Sequence, residues 1–208
     1  MALHCLYIGD PTQAEKYMEA AATSVPNFPR GMFALGSLLV NVGRYPEAEA
    51  WYRKAEKSGD PRGIVNLAYL ILGGMLARTE NGIALDVKSS DQYVLAVFQE
   101  AILRDRNPRA MFCLALMYFT GRGGLPRDDV QVLYWLDEAC KESLLSSAED
   151  ADLPLTTLLY TQGTIKSQLN DLKGAKAALQ AAADLGHLEA QKELERLSLE
   201  VNLVPEGP

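Results

Sequence analysis

The sequence predicts an all-α fold, a solenoid of about five helical hairpins closed by a C-terminal capping helix. Three observations predict it. One helix signature (a small or branched residue, then an apolar or aromatic one, then Ala) recurs along the 208-residue chain. It reads Ala14, Met18, Ala21; Ala48, Tyr52, Ala55; Val94, Phe98, Ala101; Val132, Leu136, Ala139; and Ala175, Leu179, Ala182. A partner signature precedes the last four of these as Leu35-Gly36, Leu67-Ala68, Leu114-Ala115 and Gln162-Gly163. The hairpins also start on similar words, Phe28-Pro29-Arg30-Gly31, Asp60-Pro61-Arg62-Gly63 and Asn107-Pro108-Arg109-Ala110, the first two 32 residues apart. Steps of four and three residues put each trio on one side of a helix. A lone hairpin cannot bury that side, so the units must stack.

The first unit is incomplete. Asp10-Pro11 opens a helix through Ala14, Tyr17, Met18 and Ala21, but only Ala2 to Ile8 remain for its partner. The N-terminal edge is therefore expected to expose Leu3, Leu6 and Tyr17, a surface that marks an interface or a missing neighbour. A shortened chain and a short but sufficient first helix are the alternatives. In the second unit, Gly31 to Gly59, the residues Met32, Leu35, Leu38 and Val42 are expected to face inward. Tyr45-Pro46-Glu47 opens its second helix, with Pro46 in the first turn, where a missing N–H costs nothing.

The third unit starts at Pro61 and is interrupted after Gly73-Gly74 by an insertion, 75–90, rich in Gly, Asn and charge. It is expected to project as a loop or short helix before a helix from about Asp91 to Leu103. The fourth unit runs from Ala110 to Ala139, broken by Gly121-Arg122-Gly123-Gly124 and Pro126. Asp128 fits a helix start, accepting backbone N–H groups at the positive end of the dipole. An irregular acidic linker, 142–154, into which a helical extension can run through Leu144-Leu145, leads to the fifth unit, Leu155 to Gly186. In the last helix Leu194, Leu197 and Val201 share one side and Glu189, Lys192, Glu193, Glu195 and Arg196 the rest, as a stack's end requires. The repeat domain thus spans 1–201, and 202–208, with its Pro and Gly, is expected to fray.

A net charge of −7 disfavours nucleic acid and anionic membrane as partners, since both reward a basic surface. No apolar run reaches the ~18 residues of a membrane span. MALHCLYIGD lacks the build of a signal or transit peptide, so the default setting is cytoplasmic. Three cysteines (Cys5, Cys113 and Cys140) do not make a disulfide framework and are read as reduced core thiols, with a redox pair as the alternative.

No catalytic constellation emerges. His4 and His187 are the only histidines, and neither belongs to a zinc or HExxH pattern. The Gly121–Gly124 run lacks the preceding strand and the closing Gly-Lys-Ser/Thr of a phosphate loop. No enzyme activity, metal or cofactor is expected.

The hairpins resemble tetratricopeptide repeats and, in places more closely, the related Sel-one-like repeat. Trp51-Tyr52-Arg53-Lys54-Ala55 and the spacing Gly121-Arg122-Gly123…Asp128…Val132…Trp135…Ala139 look like the latter, and the resemblance covers roughly residues 2 to 197. It implies a right-handed α-solenoid whose first helices line a concave face. Carried over by position, that face holds Arg30, Phe33, Asn41, Arg62, Tyr69, Arg109, Phe112, Phe119 and Tyr160. The three arginines would form a cationic rail beside an aromatic floor. Such a groove suits a peptide or protein segment with apolar anchors and some acidic character. The plainer alternatives are that each Arg pairs with an acid of a neighbouring unit and that the aromatics fill space between repeats. Phe33, Val65 and Phe112 stand where carboxylate-gripping tetratricopeptide domains resemble a Lys/Asn pattern, which argues against a chaperone-tail receptor. The expected function is a non-catalytic adaptor or scaffold for protein–protein interaction. The alternative is a structural subunit or assembly factor of a larger complex, attached through the N-terminal edge or the 75–90 insertion.

Overall fold

A computed structural model of the chain describes residues 29–76, 79–80, 83–84, 87–145 and 153–203, with Lys16 and Ala20. Among these residues run α1 Pro29–Asn41, α2 Tyr45–Lys57, α3 Arg62–Leu72, β1 Thr79–Glu80 and β2 Ile83–Ala84. They are followed by α4 Val87–Asp105, α5 Pro108–Thr120, α6 Asp129–Leu145, α7 Leu155–Gln168, α8 Leu172–Asp184 and α9 Leu188–Leu203. The fold is all-helical apart from one two-stranded turn. The chain divides into two compact units, Met1–Leu103 with Arg122–Leu125, and Arg104–Gly121 with Pro126–Pro208.

In the first unit α2 packs against both α1 and α3. Small residues permit this. A Cβ on Gly36 would lie 2.7 Å from the Tyr52 ring, and one on Gly63 would lie 2.4 Å from the Tyr52 carbonyl oxygen. The ring of Tyr52 thus rests on bare α1 backbone while α3 lies against the backbone of α2. Leu35, Leu38, Leu39, Ala48, Tyr52 and Leu70 form the core there. The Tyr52 hydroxyl, the polar end of a buried ring, sits 3.2 Å from Ser37 Oγ.

Of the inward set expected on α1, Leu35 and Leu38 are buried and Met32 is half-buried. Val42 is not inward: it is 47% exposed, and Leu39 takes the inner place. The helix stops at Asn41 and turns through Gly43 at φ 78°, which removes Val42 from the helical register. At α2 the sequence sets both ends, with Pro46 and Glu47 in the first turn and Lys54 and Lys57 in the last.

The insertion departs from the expected loop or short helix. It holds an antiparallel pairing of Thr79 with Ala84 and Glu80 with Ile83, and α4 begins at Val87, inside the expected insertion, and runs on to Asp105. Arg122 closes this region. Its Nη1 donates to the carbonyl of Leu72, the last residue of α3, at 2.6 Å. Its Nε donates to Asp91 Oδ2 of α4 at 2.9 Å, and Nη2 donates to the other carboxylate oxygen. One guanidinium therefore satisfies an orphan helix-end carbonyl and a buried acid together.

In the second unit α6 packs against α5 and α7, and α8 against α7 and α9. The helix starts carry their own caps: Asn107 Oδ1 accepts from Ala110 N at 2.9 Å, and Asp171 Oδ1 from Gly174 N at 2.9 Å. Asp128 Oδ1 accepts from the N–H groups of Val130 and Gln131, both at 3.0 Å, at the start of α6. Gly163 repeats the role of Gly36, since a Cβ there would meet Leu179 at 2.6 Å. In α9 Ala190 and Leu197 are buried, while Lys192–Glu189 and Arg196–Glu193 pair on the outer face.

The four signature trios from Ala48 onward are all buried. The trio at Ala14, the edge residues Leu3, Leu6 and Tyr17, and the acidic run 149–152 lie outside the described residues. α6 continues to Leu145, the helical extension that the sequence allowed into the 142–154 linker, and α9 runs to Leu203, past the expected end at about 201.

Two variants test the close approaches. Gly63→Ala should destabilise the protein by about 2–4 kcal/mol in urea unfolding, because its Cβ meets backbone that cannot tilt aside. Arg122→Ala should cost about 2–3 kcal/mol by stranding Asp91 and the Leu72 carbonyl, and Asp91→Asn beside it should recover part of that loss.

Candidate protein-binding surfaces

The hairpin-start word Asp60-Pro61-Arg62 folds back on itself. Arg62 donates from Nε and Nη2 to Asp60 at 2.9 and 2.6 Å, and Asp60 Oδ1 also accepts from Arg62 N at 3.1 Å. The fork is mostly shielded, Arg62 being 17% and Asp60 6% exposed. The same guanidinium lies 4.4 Å from the centroid of the Phe33 ring, and Phe33 lies 5.7 Å from Tyr52. An acid, a cation and two rings are thereby joined across α1, α2 and α3. The acid in this fork, Asp60, stands two residues before Arg62 in the chain.

The remaining expected residues of this unit are placed differently. Tyr69 is half-buried against the α1–α2 core. Arg30 and Asn41, at opposite ends of α1, are exposed. The structure thus joins Phe33 to Arg62 directly and leaves Arg30 and Asn41 at the surface.

In the second unit Phe112 is buried, with 8% of its surface exposed, so it offers a partner little area. Arg109 is half-buried. Phe119 is half-buried with the Arg127 guanidinium 5.0 Å over its ring. Tyr160 stacks on His187 at 4.5 Å and 17° and packs against the Ala175–Leu197 core. His187 Nδ1 accepts from Ala190 N at 3.3 Å, which fixes the imidazole at the start of α9. Beside it lies an open cleft of about 420 Å³, lined by Thr156, Leu185, Gly186, His187, Leu188 and Glu189.

The ring partner of His187 left no sign in the sequence. The available signal was a cap: a positive-φ glycine, Gly186 at 90°, followed by His and a helix. Arg127 over Phe119 was missed as well, and nothing in the local pattern marks it.

Among the described residues no group of three His, Cys, Asp or Glu side chains is placed to hold a metal ion. Among the same residues no helix is long and apolar enough to cross a membrane. Gly121 ends α5 in the left-handed region and Arg122 is fully engaged by Asp91 and Leu72, so this glycine run serves the fold. Cys113 and Cys140 are free and buried. Burial, and then the nearby Asp137 charge, push the Cys140 thiol up to about 11. At Glu138, hydrogen bonds from Lys141 and then Arg106 hold the carboxyl below the usual carboxylate range.

With the geometry in place, the likenesses to known proteins take their meaning. The tetratricopeptide repeat family matches residues 1–62. No curated protein matches the chain. Among solved structures, a protein described as a sel1 repeat protein from Klebsiella pneumoniae subsp. pneumoniae shares 19% identity, covers 95% of this chain and 89% of its own, and superposes with a TM-score of 0.56. A Sel1 repeat protein from Oxalobacter formigenes shares 18% identity over 89% of this chain and 49% of its own, with a TM-score of 0.50. Identities this low show the fold alone. Residues 1–62 thus resemble tetratricopeptide repeats, and the chain shares the helical-repeat fold of these structures. Repeat folds of this kind generally serve as scaffolds for protein–protein interaction.

The raised Cys140 pKa gives a signed prediction. In unfolded protein a thiol ionises near ~8.5, whereas the folded thiol stays neutral up to about 11. The stabilisation is complete below the unfolded value and is lost as pH rises through the folded one. Stability should therefore fall between these two pH values, and Cys140→Ser should flatten that fall. Alkylation of Cys140 at neutral pH should proceed only on unfolding.

Proposed function

We propose that the chain is a non-catalytic adaptor whose first helices hold segments of another protein. In the N-terminal unit the contact residues are Arg30, Phe33, Asn41, Arg62 and Tyr69 on α1 and α3. In the second unit they are Arg109, Phe119 and Tyr160 on α5 and α7, with the buried Phe112 behind them. The observation that carries the reading is the Arg62–Phe33 stack held by Asp60. A ring and a guanidinium already fixed on a packed core lose little freedom on binding, and Arg and aromatic residues dominate such contacts. Arg30, exposed at the start of α1, adds a second cation to the same set of side chains. The partner segment presents apolar anchors with an acidic residue beside them. The two buried free thiols suit a reducing, cytoplasmic setting.

A structural-subunit role is the second reading. The β1–β2 turn favours it, since a two-stranded insertion on a helical scaffold offers edge hydrogen bonds to another chain.

Selection of a random peptide display library on the purified protein tests the first reading. Selected peptides should combine aromatic or aliphatic anchors with Asp or Glu. Arg30→Glu combined with Phe33→Leu, which keeps an apolar side chain but removes the ring, should weaken them about tenfold. Peptides without acidic character, or affinities unchanged in the double variant, would count against the adaptor reading. Loss of partner association only on deleting residues 79–84 would favour the second.

A further inference from the structure

One helix has two apolar sides. α6 buries Val132, Leu136, Ala139, Cys140 and Ser143 against its neighbours. Its opposite side carries Val130, Tyr134, Leu144 and Leu145, which are 76%, 51%, 67% and 81% exposed. Asp137 and Lys141, also exposed, lie between them. At 100° per residue these six positions fall within an arc of about 100°, one continuous stripe along the helix.

The order of residues along that stripe is self-complementary. Read from either end, Tyr134, Asp137, Lys141 and Leu144 are symmetric about position 139: apolar, charged, charged, apolar, with the charges of opposite sign. Two copies of α6 laid antiparallel about a two-fold axis at that position set Tyr134 of each against Leu144 of the other. The same register sets Asp137 against Lys141 twice. The remaining acids on this flank are already matched, since Glu138 and Glu142 both accept from Arg106. Lys141 now pairs with Glu138 on its own helix, an exposed contact that exchanges at little cost. Asp137 accepts from Gln162 through one oxygen and keeps the other.

We infer that the chain self-associates as an antiparallel two-fold dimer through this face of α6. The stripe from Tyr134 to Leu145 is about 17 Å long. One helix pair of that length gives an interface at the small end of specific contacts and a dimer that dissociates on dilution. The surfaces proposed for partner binding on α5 and α7 are not used.

Sedimentation equilibrium of the full chain over about 10–500 µM should show a reversible monomer–dimer equilibrium, the range such an interface requires. Asp137→Lys and Lys141→Asp each put like charges across the axis and should each weaken dimerisation about tenfold or more. Mixing these two variants sets opposite charges across the axis again and should restore association as a heterodimer. Tyr134→Glu should abolish it. Circular dichroism and a thermal melt confirm that each variant is folded. Should Asp137→Lys lose its fold with the Gln162 bond, Lys141→Asp and Tyr134→Glu carry the test. A monomer throughout the range, a dimer indifferent to these changes, or no recovery on mixing two folded variants would overturn the proposal.

Discussion

The constraint on which the fold depends is the close approach of helix backbones at positions where no Cβ fits. Gly36, Gly63 and Gly163 each face a neighbouring helix at distances that even one methyl group would violate. Gly36 and Gly163 lie against signature helices whose middle side chains, Tyr52 and Leu179, fill the space that the glycine leaves, while at Gly63 the backbone of α2 itself fills it. The large residue packs only because its neighbour is small, and the neighbour is held only because the large residue covers it. Dispersion contacts of this kind are individually slight and collectively decisive. They also fix register, since sliding either helix by one residue brings side chain onto side chain.

Polar groups finish what this packing begins. Asn107, Asp128 and Asp171 each supply an acceptor to N–H groups that have no partner within the helix at its start. Arg122 does the corresponding work at a helix end, joining the last carbonyl of α3 to a buried acid on α4. Arg62 closes onto Asp60 at the mouth of α3 and stacks on Phe33 in the same movement. A residue expected on positional grounds to be an open cation is thus part of the scaffold as well.

Local pattern made much of this legible. The trios at four-and-three spacing are buried wherever the structure describes them, because a helix's inner face is set by periodicity within one segment. The capping role of Asp128 was readable for the same reason. Features set by distant parts of the chain were not. Val42 continued the apolar period but fell beyond a helix that Gly43 had already ended. The short β-pairing in the insertion involves two residues on each side, too few for any alternation to register. The stack of Tyr160 on His187 joins residues 27 positions apart, and the Arg122–Asp91 fork joins residues 31 apart. No spacing rule connects such pairs, so the candidate site was legible as a set of positions and not as a set of contacts.

The fastening by Arg122 separates the length of the segment between α3 and α4 from the integrity of the helices on either side. With the carbonyl at one end and the carboxylate near the other gripped by a single side chain, residues between them can be added at only the slow logarithmic cost of closing a larger loop. That makes this junction a place where new sequence can be grafted without disturbing the repeats. It is a natural seat for an epitope or reporter, and a point at which relatives of this chain can diverge in what they carry.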